Sequence, residues 1–142
     1  LLPKGELLRI VDKYGNEEKY DSDSKKFVQV PIAVLVNGNS ASASEVFSGA
    51  MKDRNAATIV GTNTFGKGIV QSIFSLGDGT ALKLTTSRYY TPAGLCIHGE
   101  GITPYFVVEP GTDAEQDPQL DKAVEELLKE LQKSVDDVAV RE

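Results

Sequence analysis

The 142-residue chain has one cysteine, one histidine, one methionine and no tryptophan. A single thiol, Cys96, excludes an internal disulfide and a cysteine-built zinc site. It leaves the compartment open, because a protein outside the cytoplasm can do without disulfides. Long hydrophobic runs are also missing. The longest apolar stretch, Ile32 to Val36, falls far short of the roughly 20 residues that cross a bilayer as a helix. Basic runs are absent too. Lys plus Arg total 15 against 21 for Asp plus Glu, a net charge of −6, which suits a phosphate backbone poorly and argues against nucleic acid as the main partner. Leu1-Leu2-Pro3-Lys4 has no signal-peptide pattern and no initiator Met, so the chain reads as a piece of a longer protein.

What is present is ordinary globular composition, 40% hydrophobic and 25% charged, at a length that supports one domain and its core. Residues 5–30 are polar and read as irregular, with Glu6 to Val11 as a short strand and Tyr14-Gly15-Asn16 as a turn. Pro31 then opens the run Ile32–Val36, which Asn37-Gly38-Asn39 ends. This pattern suits a strand buried on both faces, as in α/β proteins. Ala43, Val46, Phe47, Ala50 and Met51 follow at helical spacing, with Glu45, Lys52 and Asp53 off that stripe. Ala57–Val60 is a second short strand, so strand, helix and strand fall within the span of a βαβ unit. From Ile69 the period becomes two. Ile69–Leu76 and Ala81–Tyr90 flank Gly77-Asp78-Gly79 as a hairpin. Phe106-Val107-Val108 reads as an edge strand. Asp117 caps a final helix with Pro118 at its first position and an apolar stripe of Leu120, Ala123, Val124, Leu127, Leu128 and Leu131. From about Ser134 the pattern fades and the helix is expected to fray.

Chemistry-bearing residues gather in two loops. Asn39-Ser40-Ala41-Ser42-Ala43-Ser44-Glu45 lies between the first buried strand and its helix, at the carboxyl end of a strand, where α/β sheets place ligand and catalytic groups. A serine there has helix N-terminal N–H groups beside it that can hold an oxyanion. Ser42 with Glu45 three residues on is equally a capping box that starts a helix. A serine nucleophile needs a base. His98, the one histidine, could complete a triad or be a plain loop residue. Lysine serves only if its surroundings lower its pKa from about 10.4 by roughly three units. Lys67, between Gly66 and Gly68 in a segment otherwise apolar (Phe65, Ile69, Val70), is the lysine whose setting invites that role. Parallel strands of a βαβ unit put both loops on one rim of the sheet. Gly61 to Lys67 also fits G-x-x-x-x-G-K, but Gly68 stands where a magnesium-binding Ser or Thr belongs, and strand rather than helix follows. Gln71 is polar among apolar neighbours. It is either an orienter of Lys67, which requires a helical turn at Gly66–Gly68, or a solvent-facing strand residue. Asp53 would lie about 16 Å along the helix from Ser42 and suits a turn or an ion pair.

These segments resemble the carboxyl-terminal processing, or tail-specific, serine proteases. Val36-Asn37-Gly38-Asn39-Ser40-Ala41-Ser42-Ala43-Ser44-Glu45 is similar to their nucleophile segment, and Thr64-Phe65-Gly66-Lys67-Gly68-Ile69-Val70-Gln71 to their lysine segment. Ala81–Thr86, Tyr89–Gly94, Gly101–Pro104 and Asp117–Leu120 continue the likeness in order. Tyr105 departs from it, standing where the family usually has Asp. The resemblance implies a crotonase/Clp-protease-like α/β fold with a parallel sheet and an added β-hairpin. It implies a partial core, with 1–30 irregular, 31–113 catalytic and 114–142 a C-terminal helix, lacking a PDZ domain and an upstream oxyanion segment. It further implies Ser42 as nucleophile, Lys67 as general base, Gln71 as orienter and Ala43 N–H as one oxyanion donor. No cofactor or metal is needed. The implied substrates are unfolded or tagged proteins with apolar C-terminal tails, outside the cytoplasm, and self-association is left open. With one oxyanion donor missing, the 142 residues alone are expected to have little activity. The alternatives are a non-catalytic peptide- or lipid-binding module of the same fold, or a structural piece using helix 118–132 in oligomer contacts.

Overall fold

A computed structural model describes residues 1–23, 25, 29–113 and 116–139, without the side chains of 135 and 137–139. The first strands are β1 (Gly5–Asp12) and β2 (Glu17–Ser22), paired antiparallel with Arg9 opposite Lys19 and Val11 opposite Glu17. Residues 5–22 therefore form a regular hairpin, where one short strand in an irregular segment was expected. Its polarity is that of an exposed sheet edge: β2 reads Glu-Glu-Lys-Tyr-Asp-Ser and only Ser22 is even half-buried. The turn forms because Asp12 Oδ1 accepts the N–H groups of Tyr14 and Asn16 at 2.8 and 2.9 Å while Gly15 takes φ +84°.

The centre is β3 (Ala33–Val36), α1 (Ala43–Asp53) and β4 (Thr58–Gly61), with β3 and β4 parallel as the βαβ spacing predicts. A third strand, β7 (Phe106–Val107), adds parallel to β4 at the far edge. Val36, Ala50, Met51 and Ile59 pack with Leu2 as the core between α1 and one sheet face. Each large side chain buried there contributes about 1.5–3 kcal/mol. Val60, on the opposite face by strand alternation, is also fully buried. That face receives α2 (Pro118–Ala139), through Ala123 and a bond from Thr58 Oγ1 to Glu130 Oε1 at 2.6 Å. β3 has the α1 core on one side and α2 on the other, yet it is not buried on both faces as expected. Among the described residues it pairs only with β4, so Leu35 at the sheet edge stays 42% exposed.

β5 (Ile69–Ser75) and β6 (Ala81–Tyr90) form the second hairpin, and β6 pairs with β1 to give the order β2-β1-β6-β5. The fold is thus mixed α/β, a short parallel sheet beside an antiparallel one. Asp117 Oδ1 caps α2 by accepting the Leu120 N–H at 3.0 Å. The helix continues through Ala139, past Ser134 where fraying was expected to begin, and residues 140–142 lie outside the described ones. Its apolar stripe is wider than the contact it makes. Ala123 is buried, but Leu120, Val124, Leu128 and Leu131 are exposed.

Candidate functional site

Ser42 sits at the turn from β3 into α1 with φ +55° and ψ −112°. A non-glycine residue rarely adopts positive φ, and such a conformation costs on the order of 1–3 kcal/mol unless its surroundings hold it. Its surroundings do. Ser42 N–H donates to Glu45 Oε2 at 2.8 Å, and its carbonyl accepts the N–H groups of Glu45 and Val46 at 2.9 and 3.0 Å.

Glu45 is the hub. Sequence periodicity puts it off the apolar stripe of α1, yet it is completely buried. Burial of a carboxylate requires compensating donors, and four converge on it. Oε1 accepts Thr64 Oγ1–H at 2.6 Å and Gly66 N–H at 2.5 Å, while Oε2 accepts the N–H groups of Ser42 and Lys67, each at 2.8 Å. Two bonds of 2.8 Å to one oxygen keep the Ser42 and Lys67 nitrogens within about 5.6 Å of each other. Shared topology brings the two loops to one rim, and this carboxylate ties them together.

The lysine loop is held from its other side by residues 97–103. Gly99 N–H donates to the Gly66 carbonyl at 3.0 Å, and Ile102 N–H to Thr64 Oγ1 at 2.7 Å. A Cβ at Gly68 would lie 2.4 Å from the His98 nitrogen, and Gly66 takes φ +87°. That is the physical reason for glycine on both sides of Lys67: backbone passes where side chains would stand. Gly68 also bonds outward, its carbonyl accepting Tyr89 N–H at 2.8 Å.

Beside Ser42 opens an apolar cavity of about 540 Å³. Ser42, Ala43, Val46, Phe47 and Ala50 line it from α1 and its entry, Leu7 and Leu8 from β1, and Tyr89 from β6. Phe47, which the helical spacing assigns to the core, is 42% exposed because it faces this space.

The other sequence-derived candidates are placed as follows. Ala43 is the first residue of α1 and is exposed. The Lys67 side chain is also exposed, and among the described residues no hydrogen bond joins it to Ser42 or Gln71. Gln71 lies in β5 opposite Thr85, just after a bulge, and is exposed. No helical turn precedes it: residues 63–68 are irregular and β5 starts at Ile69. The positive φ of Gly66 and the close backbone approach at Gly68 enforce that extended course. His98 is exposed, its backbone packed on Gly68. Asp53 ends α1, where Oδ2 accepts the Ala93 N–H at 2.8 Å, a turn contact as its distance from Ser42 suggests. Among the described residues no cluster of His, Cys, Asp and Glu could hold a metal ion. Sequence reasoning missed the reach of Glu45 and the part of Thr64. The only available signal was the Ser-x-x-Glu spacing, which does not show that the carboxylate crosses to another loop.

The family model described as peptidase family S41 matches residues 1–108. A carboxy-terminal-processing protease of Bartonella bacilliformis is 49% identical over 110 residues, covering 76% of this chain and 25% of that protein. A carboxyl-terminal-processing protease of Synechocystis is 42% identical over 108 residues, covering 76% and 25%. The solved structure of a photosystem II D1 C-terminal processing protease superposes with a TM-score of 0.74 at 39% identity, covering 81% of this chain and 31% of that one. The chain therefore spans about a quarter of the length of the curated relatives it matches.

Proposed function

The chain belongs to peptidase family S41, and on that premise we propose that it carries the Ser–Lys part of a serine endopeptidase site. The observation that supports this most is the Glu45 carboxylate, which binds the backbone of Ser42 and of Lys67 through a single oxygen. In the proposed reaction neutral Lys67 Nζ takes the Ser42 hydroxyl proton as Oγ bonds to the scissile carbonyl carbon. The Ala43 N–H donates to the oxyanion. Collapse breaks the C–N bond, and Lys67 returns the proton to the leaving amine. Water, deprotonated by Lys67, then hydrolyses the ester. Gln71 is assigned to orient Lys67.

Neutral lysine needs a dry setting. Lys67 is exposed in these 142 residues, so its desolvation is assigned to bound substrate and to a longer protein. The same applies to the second oxyanion donor, whose loss alone costs about 10²–10³ in rate. Residues 1–142 by themselves are therefore expected to cleave little. We extend the reading to a crotonase/Clp-protease-like core completed by an upstream oxyanion segment and a PDZ domain, acting outside the cytoplasm. Its substrates would be unfolded or tagged proteins with apolar C-terminal tails, and the apolar cavity beside Ser42 supports that choice. Self-association stays an open partner.

The test uses the full-length protein that contains these residues and an unfolded substrate with an apolar C-terminus. Ser42→Ala and Lys67→Ala should each lower cleavage by roughly 10³-fold or more at unchanged Tm. Full activity in Lys67→Ala would overturn the dyad and turn attention to His98. An inactive wild type would favour the non-catalytic binding module.

A further inference from the structure

Thr64 is 5% exposed and is bonded on every side. Its hydroxyl donates to Glu45 Oε1 at 2.6 Å and accepts the Ile102 N–H at 2.7 Å, while its own N–H donates to the Ile102 carbonyl at 3.2 Å. The Gly101 backbone passes close by: a Cβ there would lie 2.6 Å from the Thr64 carbonyl oxygen and 3.0 Å from Oγ1. The hydroxyl is thus the direct side-chain link between the 97–103 loop and the carboxylate that ties Ser42 to Lys67.

We propose that Thr64 is a positioning residue for the Ser42–Lys67 pair, acting through Glu45. A carboxylate can rotate about its last bond, and only its partners fix which oxygen points where. Thr64 and Gly66 hold Oε1, which presents Oε2 to the two N–H groups of Ser42 and Lys67. Without the hydroxyl, Oε1 keeps one donor of its two, the Ile102 N–H loses its acceptor in a buried place, and the carboxylate is held less firmly in its plane. The bond from Oε2 that supports Ser42 at its positive φ is weakened with it. The proposal rests on the Ser–Lys reading for its catalytic consequence, but the geometric consequence stands apart from it.

The test compares Thr64→Val, Thr64→Ala and Thr64→Ser, with Asn63→Ala as control. Asn63 clamps the same loop from outside, donating to the Glu100 carbonyl at 2.9 Å and accepting the Thr103 hydroxyl at 2.8 Å; it meets Thr64 only at its carbonyl, at 3.4 Å, and among the described residues makes no hydrogen bond to Glu45. In the full-length protein, Thr64→Val and Thr64→Ala should lower kcat by about tenfold or more with KM unchanged, and Thr64→Ser should restore it to within about threefold, as expected for a lost and a regained buried hydrogen bond. Asn63→Ala should lower Tm while leaving kcat in place. Should Thr64→Val not fold, the Ala and Ser variants decide alone. In the ¹⁵N-labelled chain, the Ser42 and Lys67 amide proton resonances should move upfield in Thr64→Val or Thr64→Ala and stay put in Asn63→Ala.

Wild-type kcat in the Val or Ala variant, or failure of Ser to restore it, would overturn the proposal. So would unmoved Ser42 and Lys67 resonances. If Ser42→Ala itself leaves cleavage intact, the dyad reading fails instead, and the amide resonances alone then judge Thr64.

Discussion

Replacing Glu45 by glutamine changes one oxygen to an NH₂ group and nothing in shape, yet it should be among the most damaging substitutions in the chain. The carboxylate faces four donors, two on each oxygen. If the amide nitrogen takes the place of Oε2, it meets the N–H groups of Ser42 and Lys67, and both bonds are lost. If it takes the place of Oε1, the Thr64 hydroxyl can turn round and accept from it, but Gly66 N–H has no such freedom. The second orientation is the better one. It forfeits one bond to a charged group, worth about 1.5–3 kcal/mol, and weakens the remaining ones from charge-assisted to neutral strength, near 1 kcal/mol. Removing a buried charge returns part of that. A net loss of about 3 kcal/mol follows, or a drop of roughly 6–12 °C in Tm for a domain of this size. Urea unfolding followed by circular dichroism measures it, with an unchanged m-value as the check that only stability moved. A loss below about 1 kcal/mol would refute the view of Glu45 as an acceptor-only hub. Glu45→Asp serves as comparator: it keeps the charge but is one methylene short of Gly66 and Lys67, so it too should destabilise.

Two further outcomes follow from the fold itself. Gly61→Ala should cost more than about 3 kcal/mol, because φ is +131° there and the new Cβ would lie 1.9 Å from the Val36 carbonyl oxygen, inside the β3–β4 pairing; near-wild-type Tm would contradict this. Hydrogen bonds from the Asn16 side chain and N–H hold the Asp12 carboxyl below the usual 3.8, and bonds from Thr80 do the same for Asp78 in the β5–β6 turn. A carboxyl whose pKa is lower in the folded state stabilises above its unfolded pKa and stops doing so as pH falls through the folded one. Amide protection at Asn16 and Thr80 should therefore be flat from neutral pH down to the unfolded aspartate value and decline below it. Loss of protection on raising the pH would reverse the sign.

Much of the architecture was legible because it rests on local signals. The run Ile32–Val36, the helical stripe after Ser42 and the Gly77-Asp78-Gly79 turn each specify their element through near neighbours. The parallel pairing of β3 and β4 follows from the short βαβ span. What local pattern could not show was anything decided across the chain. The polar segment Glu17–Ser22 becomes a strand because β1 offers it a register, not through its own periodicity. Glu45 and Thr64 are polar residues whose burial depends on each other over 19 positions, so neither stands out alone. Gln71 depended on the course of Gly66–Gly68, and glycine permits several courses; the choice was made by the 97–101 backbone packed against them.

The two readings of Ser42 and Glu45, a helix start or a piece of an active site, are not rivals at the level of atoms. A capping box requires the Glu side chain to reach back to the Ser42 N–H, and it does. In an ordinary helix start that glutamate is at the surface and its second oxygen is solvated. Here the lysine loop takes the place of water and supplies three more donors. The consequence is energetic as well as geometric. Holding Ser42 at positive φ costs on the order of 1–3 kcal/mol, and one charge-assisted bond to its N–H offsets about that much. One oxygen serves both Ser42 and Lys67, so any movement of the carboxylate disturbs the two bonds at once. A strained serine and a lysine loop are thereby coupled through one carboxylate, which is the backbone coupling that the proposed Ser–Lys reading calls for.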